Sequence, residues 1–427
     1  MRSLDEHRAA ALALASPLPV VAVGLADARG CVLAEDVVAD APLPAWANSA
    51  MDGYAVRARD VAGASADAPV RLRVVADLPA GSAAEPFVEA GTAARIMTGA
   101  PMPPGADCVV PVEATDAGME SVAVRDAAVV GRHVRPAGDD AAPGDLILAA
   151  GALVGPGQIA ALAGVGRATV PVRRRPRIAV ISTGDELAAP GEPLSRGRIH
   201  DSNSWLLAAA VQAAGAEPVR LGPVADSVDA LLGLLAGLDG QVDGIVTSGG
   251  VSAGAYDVVK AALTGVEFLP VAVQPGKPQG LGRLPGGTPI WTLPGNPVST
   301  FASFEMFVRP AIQRMRGLDE VERPRIAAVA AEGWRTPPDR AQLMPIRLRR
   351  AAPASATDTD ESTQARVAST GASAMAPTGG PAPVWRASSG GSGSHLVARL
   401  ALADGLAIVP ADVAEVHAGD PLEVFLT

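Results

Sequence analysis

Lysine, tyrosine and asparagine are nearly missing from this chain. Of 35 basic side chains only Lys260 and Lys277 are lysines; the tyrosines are Tyr54 and Tyr256, and the asparagines Asn48, Asn203 and Asn296. Arginine supplies positive charge almost everywhere else, so a retained lysine marks a position that wants a compact, mobile ammonium rather than a planar fork. All seven rare residues fall in motif-like segments, which chance retention does not explain. Two cysteines, Cys31 and Cys108, stand far apart without a C-x-x-C, which excludes a disulfide framework. The start, MRSLDEHRAA, carries acids where a secretory leader needs basic and then apolar residues, so a reduced cytoplasm is expected. No apolar run approaches the roughly 18 to 20 residues of a membrane span. The formal charge of -10 disfavours a broad nucleic-acid surface and leaves room for a local basic pocket.

At 427 residues the chain exceeds what one hydrophobic core supports, so about two to four domains are expected. Ser3-Leu4-Asp5-Glu6 is a capping box before an alanine-rich helix. Valine-rich pieces such as RLRVVADL and ADCVVPVE alternate with Gly/Pro turns between 46 and 142, the pattern of a small inserted β domain. Residues 1–45 and 143–175 flank it and are read together as an elongated linker domain. From 176 to 318 strands alternate with helices: RIAVIS, SWLLAAAVQAAGA, PVRLGPV, DSVDALLGLLAGL, DGIVTS, YDVVKAAL, FLPVAV and TPIWTLP. That is a doubly wound α/β domain, in which ligands bind beyond the carboxyl ends of the strands. Residues 319–427 return to β sequence, broken by a Ser/Thr/Ala/Pro stretch expected to be a flexible loop.

Gly250-Val251-Ser252-Ala253-Gly254 spells the G-x-S-x-G of a hydrolase elbow. The histidines after Ser252 are His395 and His417, both beyond the α/β pattern, so a catalytic base would have to come from another fold. The rival reading is an apolar strand running into a glycine turn whose N–H groups cradle an anion. Gly155-Pro156-Gly157-Gln158-Ile159-Ala160 imitates a dinucleotide turn but lacks the βαβ surround, so it reads as a helix start. No G-x-x-x-x-G-K-[ST] occurs.

Against these stand polar clusters at strand ends. Thr183-Gly184-Asp185-Glu186 follows RIAVIS, and paired acids there suit a divalent cation or proton transfer, as well as a helix start that favours acids. His200-Asp201-Ser202-Asn203 and Asp257 precede helices and can cap them, but capping does not explain their gathering at one sheet edge. Gln274-Pro275-Gly276-Lys277-Pro278 and Leu293-Pro294-Gly295-Asn296-Pro297 are Gly/Pro loops, each with one rare polar residue. A lysine beside glycine turns makes an oxyanion pocket within an acidic protein.

SGGVSAGAYD, STGDEL, DSN, PGKP and LPGNPVS, with NSAMDGYAV and RIMTGAPMPPGADCVVPVE upstream, together resemble the MoeA/gephyrin E-domain family of molybdopterin molybdenumtransferases over nearly the whole chain. The resemblance implies an elongated homodimer of four-domain subunits: linker domain, inserted β domain, molybdopterin-binding α/β domain and C-terminal β-barrel. It implies that adenylylated molybdopterin and molybdate are substrates, that Mg²⁺ assists, and that AMP is released as molybdenum enters the dithiolene. A molybdopterin adenylyltransferase and apo-molybdoenzymes are the implied partners, with no nucleic acid and no membrane.

Residue by residue, the motifs place Asp52 and Thr98 on the inserted domain, which in this family meets the partner subunit's α/β site, and Asp140 on the family's G-[ED]-D turn. Glu186 and Asp257 match active-centre acids, Lys277 the PGKP lysine, Ser394 the serine of the C-terminal G-S-H, and Arg340 a basic position by spacing. The resulting assignment makes Glu186, Asp257, Asp52, Asp140 and Lys277 catalytic, with Asp185 and Asp257 towards the cation. Substrate contacts are assigned to Thr98, Thr183, Gly184, Asn203, Ser248, Gly249, Gly250, Ser252, Pro294, Gly295, Asn296, Arg340 and Ser394. Gln274 stands where the family often has lysine. The related adenylyltransferase is a stand-alone α/β domain, so the flanking pieces argue against it; a scaffold that binds partners without chemistry would not need the acids at 52, 140, 186 and 257.

Overall fold

The computed structural model describes residues 1–251, 258–350, 385–391 and 393–427. It divides into two compact units, one of residues 22–172 and one of residues 1–21 with 173–427.

The unit of residues 22–172 is built on a five-stranded sheet in the order Cys108–Pro111, Gly53–Val56, Thr92–Ile96, Val70–Leu78, Ser121–Val124. Alternation along Gly53–Val56 sends Tyr54 and Val56 into a core with Leu72, Val110 and Val122, while Ala55 joins Leu78, Ile96 and Val109 on the other face. The glycine of MDGYAV is required because a Cβ on Gly53 would collide with the Val110 carbonyl oxygen of the neighbouring strand. Gly155-Pro156-Gly157 opens the helix Pro156–Gly164, and Gln158 Oε1 accepts the Gly155 N–H at 3.1 Å, so the dinucleotide-like glycines are a helix start as their sequence suggests.

The second unit begins with the helix Leu4–Ala13. Ser3 and Glu6 form the expected capping box, and His7 and Ala11 turn inward. Its α/β layer is a six-stranded sheet in the order Glu217–Val224, Arg177–Thr183, Gly244–Ser248, Pro289–Leu293, Pro278–Arg283, Val266–Pro270. The first four strands are parallel; Pro278–Arg283 runs antiparallel to both its neighbours. Both faces are covered, so the three inner parallel strands are buried almost throughout, while the edge strand Glu217–Val224 carries Arg220 and stays partly exposed. Ile178, Val180, Val246 and Trp291 pack with Leu207, Val211 and Phe307 on one side. Ala179, Ile181, Ile245 and Ile290 pack with Leu231, Leu235 and Val259 on the other.

The last helical stretch runs Pro297–Ser303, a π-turn Phe304–Val308, then Arg309–Met315. Pro310 has no N–H to give to the carbonyl four residues back, and the wider turn lies just ahead of it. Beyond it, strands Arg325–Ala330, Ala341–Arg350, Trp385–Ser389, Gly405–Val409 and Pro421–Leu426 close a five-stranded β-barrel, because Ala341–Arg350 pairs with both Trp385–Ser389 and Gly405–Val409. Val273–Gln274 adds to the barrel strand Ala341–Arg350, with Val273 opposite Ala341 and Gln274 opposite Gln342. No helix among the described residues is long and apolar enough to cross a membrane.

Candidate active site

The four parallel strands end on the same edge of their sheet, and the loops that leave them carry the polar clusters. These loops and two segments from outside the sheet surround an open cavity of about 740 Å³. Thr183, Gly184, Glu186, Gly249, Gly250, Lys277, Pro294, Gly295, Asn296, Arg340 and Ser394 line it, all of them site residues expected from the sequence.

Three loops meet at close range because glycine stands at each contact. Gly249 has φ +94°, its N–H donates to the Leu293 carbonyl at 3.1 Å, and a Cβ there would sit 3.1 Å from the Thr183 carbonyl oxygen. Gly250 has φ +68°, and a Cβ would overlap the Val259 side chain. The elbow-like G-x-S-x-G begins at these two close-packing glycines; Ser252, Tyr256 and Asp257 themselves lie outside the described residues.

Asn203, at the start of the helix Asn203–Ala213, ties two of the loops together. Its Nδ2 donates to Ser248 Oγ at 2.7 Å and to the Gly295 carbonyl at 2.6 Å. Its Oδ1 is buried and has no hydrogen-bond partner among the described residues. Asp201, 1% exposed, accepts from the Ser182 and Ser204 hydroxyls and the Ser204 N–H, and therefore acts as an internal cap.

Two neighbouring acids take different places. The Glu186 carboxylate folds over Gly184 at the cavity wall, its carboxyl carbon 2.7 Å from where a Gly184 Cβ would lie. Asp185 is not in the cavity lining: its Oδ1 accepts the Asp226 N–H at 3.1 Å, and its own N–H donates to Asp226 Oδ2 at 3.3 Å. Asp226, just after the strand Glu217–Val224, lines the cavity together with Glu186, and no motif in the sequence singles it out. Its signal was position alone, an acid just past a strand end at the same sheet edge. Among the described residues no three acidic, histidine or cysteine side chains form a ready metal cage.

The lining also carries basic side chains, Lys277 and Arg340. Lys277 comes from the Gln274–Pro278 loop, and its carbonyl accepts the Val271 N–H at 2.7 Å. Arg340 precedes the barrel strand that pairs with Val273–Gln274, and that pairing brings it beside the loop. Gln274 also lines the cavity and contributes a neutral amide. Ser394 Oγ accepts from Asn296 Nδ2 at 2.9 Å, and its carbonyl accepts the Val298 N–H at 3.0 Å. Lys260, on Val258–Ala262, is exposed and lies outside the lining.

Asp52, Thr98 and Asp140 belong to the other unit. Asp52 Oδ1 accepts from the Thr98 N–H at 2.7 Å and the Thr98 hydroxyl at 2.8 Å, and these bonds, the N–H first, hold its carboxyl below the ordinary range. Asp140 is exposed, and its N–H donates to the Leu43 carbonyl at 2.9 Å.

A doubly wound sheet with a glycine-lined polar cavity at its carboxyl edge, followed by a small barrel, defines a multidomain α/β protein with β appendages. Family models match in three places: the MoeA N-terminal region (domain I and II) over residues 2–166, a probable molybdopterin binding domain over 179–314, and the MoeA C-terminal region (domain IV) over 386–427. The chain is 44% identical over 434 residues to molybdopterin molybdenumtransferase 2 of Mycobacterium tuberculosis, covering 100% of this chain and 99% of the relative. It is 38% identical over 299 residues to the molybdopterin molybdenumtransferase of Bacillus subtilis, covering 68% and 69%. A solved structure of the molybdopterin biosynthesis MoeA protein from Pyrococcus horikoshii superposes with a TM-score of 0.77 at 29% identity, covering 99% of this chain and 98% of that one. The chain belongs to the MoeA family.

Proposed function

We propose that this chain is a molybdopterin molybdenumtransferase of molybdenum cofactor biosynthesis: it takes adenylylated molybdopterin and molybdate, inserts molybdenum into the dithiolene, and releases AMP. The cavity itself supports this reading, because Lys277, Arg340, Ser394, Glu186 and Asp226 line it together with Gly249, Gly250 and Gly295. Lys277 and Arg340 suit a dianion, and the Ser394 hydroxyl adds a donor to the lining. The Gly250 N–H, in a positive-φ turn on the cavity lining, favours a phosphate brought close, while the Gly249 N–H is spent on the Leu293 carbonyl. Glu186, exposed to the cavity and next to the glycine turn, is placed to move a proton as the anhydride opens.

Mg²⁺ fits the donor set through Asp226, whose loop Asp185 fixes, because this cation binds through one or two carboxylates plus substrate phosphates rather than in a full protein cage. It would supply neutralisation of phosphate charge. Asp257, assigned to the same cation, lies outside the described residues.

The working assembly is a homodimer in which the exposed Asp52, Thr98 and Asp140 of one subunit complete the cavity of the other. The domain limits proposed are 1–45 with 143–175, 46–142, 176–318 and 319–427. The free, buried thiols of Cys31 and Cys108 fit a reducing cytoplasm. The test incubates purified protein with adenylylated molybdopterin, Mg²⁺ and molybdate, then follows AMP release and reconstitution of an apo-molybdoenzyme. Glu186→Gln is expected to slow insertion by on the order of 100-fold; an unchanged rate removes Glu186 from proton transfer. Pterin binding without any AMP would mark a scaffold instead.

A further inference from the structure

The Gln274–Pro278 loop presents an exposed lysine from a run of prolines and glycine, and the backbone around that lysine is fixed from beneath. The Lys277 carbonyl is held by the Val271 N–H. The preceding carbonyl, of Gly276, accepts from Gln279 Nε2 at 2.6 Å, and the same nitrogen donates to Ser303 Oγ at 2.7 Å. Two N–H bonds of one side-chain amide thus join the loop to the end of the helix Pro297–Ser303, whose Ser299 lines the cavity.

Neither Gln279 nor Ser303 is in the cavity lining, and both are enclosed: Gln279 is 2% exposed and Ser303 1%. An amide so deeply buried is retained only when bonded, and here both its protons are used inside the site's own supporting layer. Gly276 makes room for it. With φ +106°, a Cβ there would stand 2.8 Å from Ser303 Oγ and 3.3 Å from Gln279 Nε2. Removing the amide leaves the buried Gly276 carbonyl without its donor, and the peptide that carries Lys277 is then free to turn.

We infer that Gln279, through Ser303, is a positioning residue that sets the direction of the Lys277 ammonium towards a tetrahedral oxyanion in the cavity. The inference rests on the reading that Lys277 grips molybdate. Gln279 touches no substrate; it acts on where the lysine starts.

The test is equilibrium dialysis of molybdate against the full-length protein, its Gln279→Met and Lys277→Ala variants and the double variant, with thermal melts of each. Gln279→Met, close in volume and without donors, is expected to weaken molybdate binding on the order of tenfold, and Ser303→Ala about threefold. In the Lys277→Ala background, Gln279→Met should change binding no further, because the lysine through which it acts is gone. A general loss of packing would instead weaken both backgrounds equally, and that additive result overturns the inference. If Lys277→Ala weakens binding and Gln279→Met does not, the inference falls and the molybdate reading stands. If Lys277→Ala leaves binding unchanged, or the parent binds no molybdate, both fall. Should Gln279→Met fail to fold, the same cycle is run with Ser303→Ala, and additivity there is equally decisive.

Discussion

His7 is wholly enclosed, and neither ring nitrogen has a hydrogen-bond partner among the described residues. Its ring meets Phe307 edge-on, centroids 4.6 Å apart and planes at 88°. Burial, with a smaller contribution from Arg2, pushes its pKa down to about 4 from 6.5. The neutral ring is the folded form, so the unfolded or locally opened helix takes up the proton first. The stability His7 leaves intact is therefore fully present above pH 6.5 and is lost as pH falls through about 4. From these two values the loss is roughly 0.2 kcal/mol at pH 7, about 2 kcal/mol at pH 5, and it saturates near 3.4 kcal/mol in stronger acid. Native-state hydrogen exchange on the amides of Leu4–Ala13 reads this locally, as the free energy of opening that helix. Between pH 7 and pH 5 the opening free energy, corrected for intrinsic exchange, should drop by about 2 kcal/mol more in the parent than in His7→Leu. The acids of the first turn are present in both proteins, so their contribution cancels in the difference. Equal drops in the two proteins would refute the claim that a neutral, unpartnered His7 holds the helix down.

Other predictions concern the site. Gly250→Ala meets both a positive φ and the Val259 side chain, so a loss of roughly 1 to 3 kcal/mol in stability and a sharp fall in pterin binding are expected from melts and titration; full binding would show that the glycine turn is not the phosphate cradle. Asn203→Ala strips the donor from the Gly295 carbonyl and from Ser248 Oγ, and should lower stability by about 1 to 2 kcal/mol and slow AMP release. Thr98→Val removes one of two donors to Asp52 while keeping the backbone N–H, so the Asp52 carboxyl should titrate at higher pH than in the parent by NMR; an unmoved titration would mean that the hydroxyl bond is not made in solution.

The fold was legible where chemistry is periodic. Ile178 to Ile181 alternates between two cores, and such runs announce a sheet covered on both faces. The strand Pro278–Arg283 was not legible, since proline and two glycines argue against a strand in isolation. Those glycines answer to neighbours distant in sequence: a Cβ on Gly280 would meet the Phe268 ring at 2.9 Å, and one on Gly282 would meet the Val266 Cα at 2.8 Å. At the site, rarity exposed Lys277, Asn203 and Asn296, because a drifted composition leaves few such residues to choose among. The division of labour between adjacent acids was not legible. Asp185 and Glu186 look equally available in TGDEL, and only the exchange of N–H bonds between Asp185 and Asp226 shows which acid meets the cavity. Gln279 was invisible for the same reason, since its partner Ser303 lies 24 residues away.

If one cavity couples anhydride cleavage to metal insertion, the two events are stoichiometric. The most direct measurement is a single anaerobic turnover of enzyme-bound adenylylated molybdopterin with molybdate and Mg²⁺, counting AMP released and molybdenum retained on the pterin. One AMP is expected for each molybdenum inserted, with both lost together in Lys277→Ala. AMP released at the parental rate without molybdenum insertion, or molybdenum inserted with the adenylate intact, would contradict that coupling.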